Sequence, residues 1–188
     1  MEGNIYFIYI TIGLWLMVLF YWILEAKVDS QKNFRFEITS LAKLILSFLV
    51  VYLPLVIGGW FAKELYLSNN WVSIIGVILC ALGIGFAMWA RNILGRNWSG
   101  KVIIQKEHSL ITEGPYGLVR HPQYTGLLLA LIGTALVLGQ IFSFIYVVFL
   151  IIGITAKSKK EEKILTHEFP SEYPEYKKRT KMLIPFIL

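Results

Sequence analysis

"PQYTGLLLALIGTALVLGQIFSFIYVVFLIIGITA", residues 122 to 156, contains two apolar runs that are separated only by Gly139-Gln140. Each run, Pro122 to Gly139 and Ile141 to Ala156, is just long enough as an α-helix to reach across a bilayer. A connection of two residues requires the chain to reverse its direction. The stretch therefore predicts an antiparallel helical hairpin that crosses a membrane twice.

The composition of the whole chain agrees with a membrane protein. Of its 188 residues, 56% are hydrophobic and only 16% are charged, which is more apolar surface than one soluble domain buries. Three further apolar runs reach bilayer length, at about 5–24, 38–62 and 71–90. The sequence thus predicts an all-α integral membrane protein with five transmembrane helices, of which the last two form the hairpin.

Lysine and arginine placement predicts the orientation. Basic residues stay on the cytoplasmic side during insertion, and here they alternate with the predicted crossings. The residues before the first crossing have none, whereas most of them lie in 91–121 and 157–188. We expect the amino terminus outside and the carboxyl terminus in the cytoplasm, with these two pieces forming a cytoplasmic pocket of a single domain, 1–188. The net charge of +6 then reflects topology and anionic headgroups, so no nucleic-acid partner is expected.

Several kinds of site are excluded by what the sequence lacks. Cys80 is the single cysteine and lies in an apolar run, so there is neither a disulfide framework nor a cluster with metal-ligand spacing. No glycine-rich fingerprint follows a strand, so a nucleotide-like cofactor would need a pocket of a different kind from a Rossmann domain. No metal is expected.

The stretch "GPYGLVRHPQYTG", residues 114 to 126, concentrates polar chemistry where the hairpin begins. A Gly-Pro turn precedes it, and Pro122 suits the first turn of a helix, where its missing N–H costs nothing. The free N–H groups at a helix start favour an anion, and Arg120 adds a planar cation suited to a carboxylate. The same residues also fit a purely structural interpretation. In it, Arg120 is a positive-inside anchor, His121 caps the helix and Tyr124 is an aromatic residue of the membrane interface.

The stretch "KSKKEEKILTHEF", residues 157 to 169, prolongs the last apolar helix beyond the membrane. Glu161 and Glu162 follow the apolar run by less than two turns, and Lys157 can pair with Glu161 at i,i+4. Such a charged run is more often a solvated helix face. The hairpin nevertheless returns this segment to the surface where residue 120 precedes the other helix, so the sequence predicts that the Arg-His pair lies beside the two glutamates.

The tail "FPSEYPEYKKRTKMLIPFIL", residues 169 to 188, begins with aromatic residues at helical spacing, a pattern more typical of packing than of a pocket; they are Phe169, Tyr173 and Tyr176. Pro170 should end the helix that carries the glutamates, and Ser171 is placed to cap a short second helix. Leu183 to Leu188 is too short to cross a membrane, and we expect it to lie on the bilayer interface.

Taken together, these stretches resemble a known family, the isoprenylcysteine carboxyl methyltransferases and their prokaryotic relatives, which share the signatures RHPxYxG and EExxL…Y..Y..R…IP with phospholipid methyltransferases. The resemblance covers residues 91 to 188 and begins in "ARNILGRNWSG", residues 90 to 100. It implies methyl transfer from S-adenosylmethionine at the cytoplasmic membrane surface, with S-adenosylhomocysteine as product. The implied partner is a lipid or prenylated small molecule, and the implied reaction is carboxyl O-methylation of a prenylcysteine-like acid.

The resemblance also implies roles for individual residues. Arg120, which matches the arginine proposed to hold a substrate carboxylate, and Glu162 are the implied catalytic residues. Arg179 and Trp98 are the implied substrate-binding residues. The implied cofactor-binding residues are Tyr116, Val119, His121, Pro122, Tyr124, Glu161, Tyr173 and Tyr176. The chain departs from the family pattern at Phe169-Pro170, where Phe-Gly is usual, and at Pro174, and both departures concern the path of the tail towards Arg179.

Three alternatives use the same residues or the same membrane core. A phospholipid amine N-methyltransferase would need a base, for which Glu162 or His121 is the candidate. A relative similar to sterol reductases would bind a nicotinamide cofactor, and the short chain and the paired glutamates rank it lower. A non-enzymatic scaffold or transporter predicts ionisable residues within the crossings, where only Lys43 is found.

Overall fold

The computed structural model describes residues 2–29, 69–94 and 110–184 of the chain. Within these ranges the regular secondary structure is helical, and a parallel bridge pairs Val119 with Lys181. The helices are α1 (Glu2–Asp29), α2 (Asn70–Leu94), a 3-10 helix (Gly114–Gly117), α3 (Pro122–Leu138), α4 (Ile141–Glu168) and α5 (Glu172–Arg179). The described part of the chain is therefore all-α, as predicted.

Four of the predicted apolar runs coincide with helices. Helices α1, α2 and α4 are long and apolar enough to cross a membrane, and α3 is a shorter apolar helix. Helix α1 extends past both ends of the predicted run 5–24, and α4 continues without a break from the apolar run into the charged segment. The predicted crossing 38–62 lies outside the described residues.

Large apolar side chains are exposed along α1, α2 and α4. Tyr6, Leu82 and Phe149 are 69%, 60% and 68% exposed. So much exposed apolar surface is unusual in water. In a bilayer these side chains face hydrocarbon, while the helices satisfy their own backbone hydrogen bonds. The protein is therefore an integral membrane protein.

Contacts divide the chain into two compact units. The first consists of Met1–Ala81 with Leu131–Val147, and the second of Leu82–Ala130 with Val148–Leu188. Helices α2, α3 and α4 each contribute one part to each unit. The two polar motifs and the tail belong entirely to the second unit.

In the first unit, small and polar residues bring the helices together. A Cβ atom on Gly76 of α2 would lie only 2.6 Å from the carbonyl oxygen of Gly133 of α3. Trp15 Nε1 donates a hydrogen bond to Thr134 Oγ1 at 3.0 Å, and that hydroxyl lies 3.7 Å from the sulfur of Cys80. Close backbone approach and interhelical hydrogen bonds are the usual means of helix association in membranes.

In the second unit, the same two helices meet at another pair of glycines. A Cβ atom on Gly126 of α3 would lie 2.5 Å from the carbonyl oxygen of Gly83 and 2.6 Å from the nitrogen of Ala87, both on α2. Only glycine permits this approach. Gly85, two residues from Gly83 on α2, has nothing within 4 Å of its Cβ position.

Gly139 allows the short connection between α3 and α4. Its φ of 63° lies in the left-handed region, which glycine adopts without steric cost. Its N–H donates a hydrogen bond to Ala135 O at 2.9 Å, which closes the end of α3. The next residue, Gln140, accepts a hydrogen bond from Ser143 N at 3.0 Å as α4 begins.

The end of α4 agrees with the prediction in part. Helix α4 ends at Glu168, before Pro170, and the short helix α5 follows. Ser171 occupies the N-cap position, but its backbone is already helical (φ −92°, ψ −39°) and its side chain makes no capping hydrogen bond. The predicted cap is therefore wrong, because a capping side chain needs a non-helical backbone at that position.

The start of the last apolar segment is also different from the prediction. Leu183 is 1% exposed and forms a buried cluster with Leu128 and Met182. Expecting Leu183 to lie on the bilayer interface is wrong, because its side chain fills this core. Ile184 is 47% exposed, and residues 185–188 lie outside the described part.

Candidate functional site

Backbone pairing with the tail fixes the residues just before α3. The N–H of Arg120 donates to Lys181 O at 2.8 Å, and the N–H of His121 donates to Met182 O at 3.1 Å. These bonds continue the bridge between Val119 and Lys181. The tail thus runs alongside the RHP motif, and two separate stretches of sequence form one site.

The 3-10 helix before the motif is held by the same tail. Its first residue, Gly114, has a φ of 58°, and its Tyr116 is buried. The Tyr176 hydroxyl donates a hydrogen bond to Tyr116 O at 2.6 Å. Tyr176 also packs edge-on against Tyr173, with ring centroids 5.9 Å apart. Burial raises the pKa of Tyr176 to about 12 and also raises that of Tyr116 and Tyr173, so all three hydroxyls stay protonated.

Arg120 lies at the centre of a cluster of charges. Its Nε donates to Glu162 Oε1 at 2.6 Å, and its Nη1 donates to the carbonyl oxygens of Lys177, at 3.3 Å, and Thr180. Lys177 Nζ contacts the other carboxylate oxygen of Glu162 at 2.9 Å. The side chains of Arg120 and Glu162 are only 8% and 6% exposed. The predicted proximity of residue 120 to the glutamates is confirmed, and the arginine also binds the tail.

The neighbouring cations keep Glu162 ionised. Glu162 lies on the charged extension of α4, beyond the apolar run that ends at Ala156. Burial alone would raise the pKa of Glu162, but the neighbouring His121, Lys177 and Arg120 outweigh it and lower the pKa from 4.5 to about 2. Glu162 is therefore a carboxylate at neutral pH and a weak proton acceptor.

The second glutamate, Glu161, faces two stacked rings. The rings of His121 and Tyr124 are nearly parallel, with centroids 5.6 Å apart. The Tyr124 hydroxyl donates to Glu161 Oε1 at 2.7 Å, and His121 Nδ1 lies 3.5 Å from Glu161 Oε2. The ammonium group of Lys157 lies 5.1 Å over the Tyr124 ring and 3.8 Å from Glu161 Oε1. A carboxylate beside an aromatic face is a place that stabilises a cation.

Two buried polar atoms in this region have no hydrogen-bond partner within the described ranges: His121 Nε2 and the Tyr173 hydroxyl. His121 Nε2 lies 3.7 Å from Glu162 Oε1, which is too far for a hydrogen bond. Buried polar atoms are nearly always paired, since leaving them unpaired costs free energy. Both atoms are suited to pair with polar groups of a bound ligand.

Most of the predicted site residues in the described part of the chain gather around the charged cluster, and Arg179 does not. Val119 and Pro122 are fully buried and shape the backbone at the start of α3. Arg179 is the last residue of α5, is exposed, and makes none of the contacts of the charged cluster. Trp98 lies outside the described residues. The roles of all these residues in binding or catalysis stay predictions.

The sequence did not single out Lys177 or Thr180. Lys177 stands in a run of cations, and the pattern does not distinguish it from Lys178, which pairs with exposed Glu175 at 2.6 Å. Its position four residues after Tyr173 is a partial signal, because residues at i and i+4 share a helix face. Thr180 takes part through its backbone carbonyl, which no side-chain pattern reveals.

A cleft of about 390 Å³ opens beside the Arg120–Glu162 pair. Four cationic side chains and one carboxylate line it, with a threonine and a methionine. The lining residues are Arg120, Lys159, Glu162, Lys163, Thr166, Lys177 and Met182. Over the described residues, no group of three or more His, Cys, Asp or Glu side chains could hold a metal ion.

The sequence matches a known family and several characterised relatives. The family model for phospholipid methyltransferase matches residues 71–172. The protein-S-isoprenylcysteine O-methyltransferase of Homo sapiens is 33% identical over 121 residues, covering 63% of this chain and 43% of the human protein. The Saccharomyces cerevisiae protein of the same name is 33% identical over 124 residues, covering 64% of this chain and 52% of its own.

A plant relative gives a similar match. Protein-S-isoprenylcysteine O-methyltransferase B of Arabidopsis thaliana is 31% identical over 120 residues, covering 62% of this chain and 61% of the plant protein. The matches thus span 43% to 61% of the length of these three relatives.

A solved structure shares the fold. The structure is that of the eukaryotic intramembrane Ras methyltransferase, isoprenylcysteine carboxyl methyltransferase, in a form without a monobody. It aligns with this chain with a TM-score of 0.78. The alignment covers 98% of this chain and 68% of that chain, at 22% sequence identity. At this identity the likeness shows a shared fold and carries no information about the side chains of the site.

Proposed function

The chain belongs to the phospholipid methyltransferase family, and we propose that it is a membrane methyltransferase that uses S-adenosylmethionine to methylate a lipophilic acceptor. The proposed acceptor is a prenylcysteine-like acid whose carboxylate becomes a methyl ester. The names of the relatives and the charges of the site support this proposal. The proposed topology has five crossings, the last two forming a hairpin, with the amino terminus outside and 91–121 and 157–188 forming the cytoplasmic pocket of one domain.

The observation that carries the proposal is the cation held between Tyr124 and Glu161. The Lys157 ammonium lies over the Tyr124 ring and beside the Glu161 carboxylate. Tyr124 belongs to the stretch 114–126 and Glu161 to the stretch 157–169, and the hydrogen bond between them joins the two stretches. The same surroundings suit the positive charge of a sulfonium or an amino group.

The residues present fit the proposed cofactor. The unpaired His121 Nε2 and Tyr173 hydroxyl offer hydrogen bonds to its polar groups. The residues proposed to hold it are Tyr116, Val119, His121, Pro122, Tyr124, Glu161, Tyr173 and Tyr176. When bound, S-adenosylmethionine supplies a methyl group on a sulfonium, which is already a good leaving group. The protein therefore needs chiefly to align the acceptor and to exclude water.

Arg120 and Glu162 are the proposed catalytic residues. Arg120 lines the cleft while Glu162 and the tail carbonyls fix its guanidinium group. A guanidinium held in this way orients an acceptor carboxylate by its charge, with no proton transfer between the two. Glu162 keeps Arg120 and Lys177 in place and balances their charge. Arg179 and Trp98 remain the proposed substrate-binding residues.

The acceptor could instead be a phospholipid, which the description of the matching family model names, and the group methylated would then be its amine. An ammonium acceptor has to lose a proton before it attacks a methyl group. Glu162 is poorly suited to take this proton, because the pKa of its carboxyl is lowered to about 2. A carboxylate acceptor needs no such base, so the state of Glu162 favours O-methylation, and an amine acceptor would have to use His121, the other candidate base.

Binding and labelling experiments test the proposal in sequence. Calorimetry of the purified protein in detergent should show binding of S-adenosylhomocysteine; no binding would support a non-enzymatic scaffold. Label transfer from the methyl donor to extracted lipids and to prenylcysteine analogues then identifies the acceptor. A labelled product that base hydrolyses is an ester, whereas a base-stable product is a methylated amine and would overturn the carboxylate proposal.

A further inference from the structure

The cleft beside the Arg120–Glu162 pair has cations that the pair does not use. Lys159 and Lys163 of α4 line it, and neither makes an ion pair with another residue in the described ranges. They are four residues apart on one helix, where like charges repel each other. We propose that the side of this cleft formed by Lys159 and Lys163 binds the phosphate of a phospholipid headgroup, as a lipid site beside the place proposed for the acceptor carboxylate at Arg120.

The balance of charge in the cleft favours an anion. Glu162 is its single carboxylate, and both Arg120 and Lys177 already contact it. Lys159 and Lys163 are thus left without a counter-charge inside the cleft. A phosphate group offers several oxygens, so it pairs with two ammonium groups at once, and lysine is a common partner for it.

The position of these lysines along α4 favours a lipid as the source of the phosphate. The apolar run ends at Ala156, and the two lysines follow it by roughly 5 Å and 10 Å at the rise of an α-helix. The headgroup region on each side of the hydrocarbon is roughly 5–8 Å thick. Lys159 and Lys163 therefore lie at the height of lipid headgroups or just beyond it.

The lining of the cleft suits a molecule with both a charged and an apolar part. Met182 forms one wall and belongs to the same buried cluster as Leu128 and Leu183. The volume of about 390 Å³ lies within the roughly 300–1,000 Å³ of small-molecule sites, which is more space than a single phosphate ion needs. A headgroup with the upper part of its acyl chains matches this combination.

The test compares two double variants that remove the same charge. Lys159→Gln with Lys163→Gln empties the cleft of its unpaired cations, whereas Lys160→Gln with Lys178→Gln removes two exposed lysines that do not line it. Binding of short-chain phosphatidylglycerol to each purified protein is measured by native mass spectrometry in detergent, with phosphatidylcholine as reference. We expect the cleft variant to bind at least about tenfold more weakly than wild type and the surface variant to bind like wild type.

Further arms distinguish a lipid in the cleft from a soluble anion and from a general effect of net charge. Equal loss in both double variants, or in neither, would overturn the proposal, since binding would then follow net charge or another surface. Glycerol 3-phosphate or inorganic phosphate that binds as tightly as phosphatidylglycerol would overturn the lipid and identify a soluble anion as the ligand. Lys159→Arg with Lys163→Arg keeps both charges and should retain binding, which controls for misfolding. Because no methyl transfer is measured, the outcome is independent of the proposed function.

Discussion

The contacts between α2 and α3 and the charged cluster around Glu162 are stabilised in different ways. Between the two helices, glycines such as Gly83 and Gly126 bring backbone against backbone, and shape complementarity holds them together. Around Glu162, long side chains from α4, the RHP motif and the tail meet through charge. The helix contacts need small residues and are insensitive to charge, whereas the cluster needs charge and tolerates some adjustment of its side chains.

This difference separates stability from chemistry. A backbone contact in an apolar surround has no group that a substrate could bind. A buried cluster of charges costs desolvation free energy, which apolar packing would avoid. Its presence just beyond the apolar part of α4 is therefore better explained by what it binds than by what it stabilises. The charged cluster should be sensitive to loss of charge and to acid, whereas the helix contacts should be sensitive to added methyl groups.

The largest effect is expected from neutralising Glu162. Glu162→Gln leaves Arg120 largely buried without its carboxylate partner, and breaking such a pair costs about 3–5 kcal/mol. We expect a matching loss of stability in detergent and loss of methyl transfer, with the protein still inserted in the membrane. Arg120→Ala should do the same, because it leaves Glu162 without its closest cation. Near wild-type activity of both variants would contradict the site assignment. Glu175→Gln, at the exposed pair with Lys178, is the control and should change neither property.

Acid should remove the contribution of Glu162 gradually. The pKa of Glu162 is lowered from 4.5 to about 2 in the folded protein, so the stabilisation by its ionised form is complete above pH 4.5 and disappears as the pH falls through 2. The difference in unfolding free energy between wild type and Glu162→Gln should therefore be constant near neutral pH and shrink between pH 4.5 and 2. A difference that does not change with acid would mean that charge is not what holds the cluster.

A single methyl group should have a smaller effect at the helix contact. Gly83→Ala puts a Cβ atom 2.5 Å from Gly126 O and should destabilise the protein, by about 1–3 kcal/mol for overpacking of this kind. Gly85→Ala, two residues away, meets nothing and should stabilise α2 slightly. Thermal unfolding of both variants in one detergent measures the contrast. Equal stability of the two variants would refute the close approach, and neither variant should change the response to acid.

Much of the helical framework could be predicted, because hydrophobicity determines it. The bounds of α3 follow from Pro122 at its start and Gly139 at its end, and the charged segment after Ala156 continues α4 as expected. The proximity of Arg120 to Glu162 followed from the two-residue connection and from the similar lengths of the two apolar runs that it joins. These features depend on the lengths of the apolar runs and on single residues, such as Pro122 and Gly139, that start or end a helix, and a sequence shows both directly.

The tail could not be predicted in the same way. Its path along the RHP motif depends on the carbonyl groups of Lys181, Met182 and Thr180, and every residue has such a group. Leu183 is apolar in either environment, so its hydrophobicity did not distinguish a protein core from a lipid interface. Lys177 differs from its neighbours only by the face of α5 on which it lies. Tertiary contacts decided each of these features.

One hydrogen bond of the tail should have a measurable but modest role. Tyr176→Phe removes the donor to Tyr116 O and leaves a buried carbonyl unpaired, which costs about 1–3 kcal/mol. Tyr173→Phe removes a hydroxyl that has no partner within the described part of the chain, so it should leave stability nearly unchanged. Unfolding curves compare the two variants. Because the Tyr173 hydroxyl is proposed to bind the cofactor, Tyr173→Phe should also weaken S-adenosylhomocysteine binding, and unchanged binding would contradict that role.

The smallest effect is expected where a cation of the protein occupies the place proposed for a cation of the ligand. Lys157→Met removes the ammonium group that lies over Tyr124 and beside Glu161. Since a bound sulfonium would no longer compete with it, S-adenosylmethionine should bind about two- to fivefold more tightly, the range of an exposed cation–π contact. Lys160→Met, on the same helix, should bind like wild type. Weaker binding by Lys157→Met would show that the lysine holds an anionic part of the cofactor, and the cation site would then have to lie elsewhere in the charged cluster.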